Sequence, residues 1–241
     1  MNDAMIPGSN EIGGTEDFEF AALAEAVNYR KTIIGEFSKF LKGRVLEIGA
    51  GIGQTTEALV GSEGVDEVVA VEPDHRFHEG FGKRLPNVRL VKGTSQDVSG
   101  EDFDGVITVN VMEHIENDET EFAMQHSLLK GRRGYLCCLV PARPEIFAPL
   151  DDHFGHYRRY TKKELRRKLE GAGFKVEEIF YFNFVGYFAW AFRFKLLGKM
   201  DFDLGQVRLF DRKIFPVAHS LERKLLRPPI GQSLIAIATP R

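Results

Sequence analysis

Two cysteines are all the 241-residue chain contains, Cys137 and Cys138, adjacent in an apolar run where neither can staple a distant segment. A disulfide-built secreted fold is excluded, and a reducing, cytoplasmic compartment is expected. Charge of one sign is not in excess either: 32 Lys and Arg face 35 Asp and Glu, a net −3. That removes a chain-wide electrostatic case for nucleic-acid binding and leaves only a local patch open. Long apolar runs are missing too. The longest, Ile179 to Phe192, has fourteen residues and is interrupted by Asn183 and Gly186, against about twenty needed to cross a bilayer as a helix. Residues 1–17 are polar, carry acids and have no apolar segment of signal-peptide type, so they read as a mobile tail. There is no internal repeat and no low-complexity tract. What is present, 43% hydrophobic and 28% charged residues, excludes global disorder and fits one large domain or a domain plus a lid.

Hydrophobic spacing predicts helix over Phe18 to Leu41, as one element or two, and then strands alternating with helices. Strands are expected at Val45–Ile48, Glu67–Val71, Val88–Lys92, Gly105–Val109, Tyr135–Val140, Phe174–Tyr181 and Ser233–Ala238. Helices are expected at Gln54–Val60, at His75–Arg84, from Asp118 with Glu121 as a capping box, and from Thr161 with Glu164 as a second one. The first of these boxed helices should end near Gly131 and Gly134, the second at Gly171 and Gly173. Such alternation argues a parallel sheet covered on both faces. The final two strands lack an obvious covering helix between them, so an antiparallel pair is expected there. Two insertions, Ala142 to Tyr160 and Asn183 to Gly231, stand outside the plan.

The sharpest motif is Glu47-Ile-Gly49-Ala-Gly51-Ile-Gly53, directly after a β-branched strand and opening a helix. Glycines there let the backbone turn tightly and approach a ligand beyond the strand ends. A dinucleotide site is the rival, but its third glycine is replaced by Gln54. Glu47 would also put a carboxylate beside the turn, repelling a pyrophosphate and suiting a cation such as a sulfonium. Glu72 ends the second strand nineteen residues after Gly53 and can accept both ribose hydroxyls. Ser95 and Gln96 follow the third strand and can flank adenine, and Asn110 closes the fourth, facing the cofactor from across the crevice.

The runs Val45-Leu-Glu-Ile-Gly-Ala-Gly-Ile-Gly-Gln54, Val71-Glu-Pro-Asp74 and Phe103-Asp-Gly-Val-Ile-Thr-Val-Asn-Val-Met-Glu-His114 resemble class I S-adenosylmethionine-dependent methyltransferases over about residues 40–180 and the last strand. The resemblance implies an α/β, Rossmann-like doubly wound seven-stranded sheet, order 3-2-1-4-5-7-6 with strand 7 antiparallel. It implies S-adenosyl-L-methionine as cofactor and S-adenosyl-L-homocysteine as product, with Glu47, Gly49, Gly51 and Gly53 at the methionine end, Glu72 at the ribose, and Ser95 and Gln96 at the adenine. Tyr29 on the N-terminal helix is expected to help close the crevice.

For the chemistry, alignment of donor and acceptor supplies much of the acceleration, and a base adds to it when the acceptor is a hydroxyl. His153 and His156, in the insertion after the fifth strand, are the candidate bases. Arg158 and Arg159 read as a solvated basic face. Glu113 and His114 resemble the position where some quinone-biosynthesis methyltransferases hold a divalent metal, but further acids are lacking and no metal is expected. Residues 183–231 combine Tyr187, Phe188, Trp190, Phe192 and Phe194 with nine Lys or Arg against four acids. A substrate lid is the preferred reading, with a dimer contact, an interfacial membrane segment and nucleic-acid stacking left open. Within it, Arg208–Leu226 is expected to be amphipathic, broken at Pro216, with Phe210, Phe215, Leu221 and Leu225 inward. The expected function is methylation of O or N on a small aromatic, secondary-metabolite or glycosidic acceptor, without nucleic acid. The alternatives are a peripheral membrane enzyme with a lipid-linked substrate and a cofactor-binding protein without transferase activity.

Overall fold

The computed structural model describes residues 25–129, 134–200, 203–224 and 227–241. The expected tail, the first part of the N-terminal helix, Gly131 and Leu225 lie outside them. Helix α1 (Val27–Phe37) leads into β1 (Gly43–Ile48), α2 (Gln54–Val60), β2 (Val65–Val71), α3 (His75–Arg84), β3 (Arg89–Val91) and β4 (Gly105–Val109). Then follow α4 (Asp118–Ser127), β5 (Tyr135–Pro141), α5 (Pro149–His153), α6 (Lys162–Gly171) and β6 (Phe174–Phe182). The chain closes with α7 (Phe184–Trp190), α8 (Leu204–Leu209), α9 (Phe215–Lys224) and β7 (Ser233–Pro240).

The seven strands form one sheet in the order β3-β2-β1-β4-β5-β7-β6. β7 runs antiparallel to both neighbours, and the remaining pairs are parallel. Side chains alternate between faces along each strand. Leu46, Val106, Leu136 and Cys138 pack on one side with Phe122, Tyr160 and Leu165. Val45, Ile107, Cys137 and Ile235 pack on the other with Ile33, Phe37, Leu41 and Phe215. The two cysteines thus face opposite layers, both buried and free, and burial pushes both thiols up.

Three local expectations are corrected. Asn117, not Asp118, caps α4: its side chain accepts from the Thr120 amide. Asp118 is buried instead, accepting from Lys168 Nζ (2.6 Å), Arg158 Nη1 (2.9 Å) and the Tyr160 hydroxyl (2.7 Å). Glu121 turns away to accept from Ser95, while Thr161 does cap α6 by accepting from the Glu164 amide. Arg158 is therefore spent on Asp118 and is no free basic face.

The third correction concerns residues 204–224, which are helical throughout. A wider π-type turn, Phe210–Ile214, joins α8 to α9, and Pro216, the second residue of α9, does not interrupt the run. Leu221 is exposed rather than inward. Asp211, buried in that turn, accepts from the amides of Asn28 and Tyr29 at 2.9 Å each, tying the start of α1 to this run.

Candidate active site

Beyond the carboxyl ends of β1, β2 and β4 lies a cavity of about 670 Å³. Its floor is the glycine turn. Gly49 has φ +75°, and a Cβ there would stand 2.3 Å from Val111 Cγ2, so the close approach of the two loops requires glycine. Glu72 braces the turn: its Oε2 accepts from the Gly51 amide (2.7 Å) and its Oε1 from the Asp74 amide (2.9 Å). Burial raises its pKa above an ordinary glutamate's, although those two amides oppose the shift. Each oxygen keeps a lone pair, so the carboxylate can still accept hydroxyls from the cavity.

Gly49, Gly51, Glu72, Ser95, Gln96, Asn110 and Tyr29 all line this space. Glu47 and Gly53 do not. Glu47 points to the opposite side of the turn, where it is buried and shares a hydrogen bond with the Thr56 hydroxyl of α2. Burial pushes its pKa up to about 8, with the Thr56 bond opposing and the Glu72 charge adding. A carboxyl mostly protonated near neutrality and turned away from the cavity cannot select a cationic ligand by its charge; the premise drawn from its position in the motif is corrected. Gly53 instead makes room for the end of α3, since a Cβ there would meet Phe81 Cδ2 at 3.0 Å and, just past the helix, Leu85 Cδ1 at 2.7 Å.

A second cavity, about 430 Å³, adjoins the first; Tyr29, Asn110 and Phe154 line both. Asn110 takes φ +53°, a left-handed turn that ends β4 at the boundary. The Tyr29 hydroxyl lies 3.2 Å from Ser233 Oγ, and burial pushes the phenol up to about 12. The walls of the second space are largely supplied by the second insertion, including Trp190, Phe194, Phe210 and Phe215.

Two polar residues of the first insertion, His156 and Arg159, line it. His156 Nδ1 donates to Asp151 Oδ1 at 2.9 Å; the carboxylate can only accept, which sets the tautomer. Asp151 also accepts from Arg159 Nε (2.9 Å) and the Ala148 amide (2.8 Å). Burial raises the Asp151 pKa, but the bonds from His156 and Arg159 outweigh that and hold it below an ordinary aspartate's. His156 Nε2 is buried, with no hydrogen-bond partner among the described residues. Arg159 is itself buried, its guanidinium 4.5 Å over the Trp190 ring, and so corrects the expected solvated face. His153 lines neither cavity.

Glu113 and His114, on the turn after β4, come close to His156: ligand atoms of the three lie within 4.8 Å of one another. The third donor missing from the local motif thus arrives from the first insertion. An Asp-backed imidazole beside a carboxylate and a second imidazole can hold a divalent cation as well as accept a proton. Spacing within the motif gave no sign of this; Asp151 five residues before His156 was the available signal for the pair.

A family model described as a methyltransferase domain matches residues 19–179. Over 132 residues the chain is 32% identical to the probable ribosomal RNA small subunit methyltransferase A of Methanosarcina barkeri, covering 53% of this chain and 44% of that protein. The match therefore spans less than half the length of that relative. Among solved structures, an S-adenosylmethionine-dependent methyltransferase from Clostridium acetobutylicum is 10% identical with a TM-score of 0.59, covering 92% of this chain and 97% of that one. One from Mesorhizobium loti is 14% identical with a TM-score of 0.59, covering 87% and 96%. At such identities the likeness is one of fold.

Proposed function

From the premise that this chain belongs to the methyltransferase-domain family, and so is an S-adenosylmethionine-dependent methyltransferase, we propose that it methylates an oxygen or nitrogen of a small acceptor held in the 430 Å³ cavity. The observation that carries this is the Asp151–His156 pair: His156 lines that cavity, and its second imidazole nitrogen has no hydrogen-bond partner among the described residues. His156 Nε2 takes the proton from the acceptor, and Asp151 fixes the ring and stabilises the imidazolium that results.

The larger cavity fits the cofactor: its size is in the range of small-molecule sites, and the glycine turn is a cradle that a Cβ would fill. Glu72 would hold the ribose hydroxyls, Ser95 and Gln96 would flank the base, and Gly49 and Gly51 would bring backbone to the amino-acid end. When bound, S-adenosylmethionine supplies an electrophilic methyl on a sulfonium. Asn110 and Tyr29, shared by both cavities, position the two reactants at their boundary. Residues 183–231 act as the lid, excluding water with Trp190, Phe194, Phe210 and Phe215.

The ribosomal RNA relative offers RNA as a rival acceptor. The aromatic walls of the acceptor cavity and the net charge of −3 favour a small molecule instead. His156→Ala should lower kcat by about 10²–10⁴-fold for a hydroxyl acceptor, while affinity for S-adenosylhomocysteine stays near wild type in calorimetric titration. Undiminished turnover would remove the base. Cofactor binding without turnover across an acceptor panel would favour the reading of a cofactor-binding protein that transfers nothing.

A further inference from the structure

Nine of the twelve large hydrophobic residues exposed among the described residues fall between positions 188 and 221. Soluble surfaces carry such residues singly; concentration on one segment marks a contact. The helical run 204–224 has two apolar stripes. One, with Phe215 and Ala218, faces the domain. The other consists of Leu209, Ile214, Val217 and Leu221, exposed by 58%, 44%, 62% and 52%. Their spacing of five, three and four residues keeps them on one face, because the five-residue step crosses the π-type turn.

Charge on this run is as one-sided as its exposure. Arg212, Lys213, Arg223 and Lys224 are exposed. Its two acids are directed to the protein: Asp211 accepts from the Asn28 and Tyr29 amides, and Glu222 from the Phe184 amide. Outward apolar residues flanked by basic ones, with acids withdrawn, complement an anionic lipid surface. Six of these nine exposed hydrophobic residues are aliphatic, which bury in acyl chains but do not stack on bases as an RNA-binding face would. The stripe is also continuous with the site: Leu209 and Ile214, both exposed, line the acceptor cavity.

We propose that the face of helix 204–224 bearing Leu209, Ile214, Val217 and Leu221 seats the protein on an anionic bilayer, and that the acceptor is a membrane-borne amphiphile. Its hydrocarbon chain enters between Leu209 and Ile214, and its polar head reaches His156. The acceptor half rests on the methyl-transfer reading above; the docking half does not.

The test is co-sedimentation of the full chain with vesicles of phosphatidylcholine containing phosphatidylglycerol, against phosphatidylcholine alone. Binding is expected to the anionic vesicles, to weaken with added salt, and to fall by at least about fivefold for each of Lys213→Glu and Lys224→Glu. Val217→Asp with Leu221→Asp should abolish it while S-adenosylhomocysteine binding, the check on folding, persists. If that pair fails to fold, the two lysine variants decide. His156→Ala should bind vesicles as wild type does, so failed chemistry and failed docking are separable. The proposal is overturned if the wild type ignores anionic vesicles, or if the aspartate pair binds them as well as wild type. A dimer in sedimentation velocity that the same pair dissociates, or retention of RNA in place of vesicles, would likewise overturn it.

Discussion

Replacing Glu47 with glutamine isolates the most perturbed carboxyl of the site region. In the folded chain its pKa is pushed up to about 8, against 4.5 for the ordinary side chain. Below about pH 4.5 the carboxyl is protonated in both folded and unfolded chains and contributes no linkage. As pH rises from there towards 8, the unfolded chain ionises and the folded one does not, so folding loses about 1.4 kcal/mol per pH unit. The loss levels off above pH 8 at about 5 kcal/mol. Glutamine keeps an acceptor for the Thr56 hydroxyl but cannot titrate. It introduces a buried amide whose unmet donors cost about 1–3 kcal/mol at every pH. The diagnostic is therefore the slope rather than the absolute stability. Urea unfolding of both proteins between about pH 5 and pH 8 should show the wild type falling relative to Glu47→Gln by about 1.4 kcal/mol per unit. Parallel curves would show that Glu47 is ionised and the buried assignment wrong. S-adenosylhomocysteine affinity should hardly change, because the carboxyl does not line the cofactor cavity.

Other perturbations separate the remaining roles. Glu72→Ala should weaken cofactor binding by about 1–3 kcal/mol in calorimetric titration, and an unchanged affinity would end its ribose assignment. His153→Ala should leave turnover intact where His156→Ala does not; equal losses would contradict the placement of His153 outside both cavities. Asn117→Ala should cost about 1 kcal/mol as a lost helix cap, measured by denaturation. Asp118→Asn should cost more, about 3–5 kcal/mol, by stranding the buried Lys168 charge. Similar losses for those two would blur the distinction between cap and ion cluster.

What the sequence determined by itself is what local physics can encode. Strand alternation, the glycine turn and an acid ending the second strand depend on neighbours within a few residues. They were legible as helix Gln54–Val60, strand Gly105–Val109 and the antiparallel close at β7. Side-chain direction was not legible where two faces compete. Glu47 alternates to the side of α2 rather than the cavity, and Asp118 answers Lys168 fifty residues on rather than its own helix start. The Asp151–His156 pair was visible as residue types, but its meeting with Glu113 and His114 needed β4 and the first insertion to be brought together by the sheet. Likewise, Leu221 reads as core by period alone. Only the packed helix shows that its inward stripe is already filled by Phe215 and Ala218, leaving Leu221 to face outward. Periodicity states that a face is apolar, and tertiary packing decides which apolar face is buried.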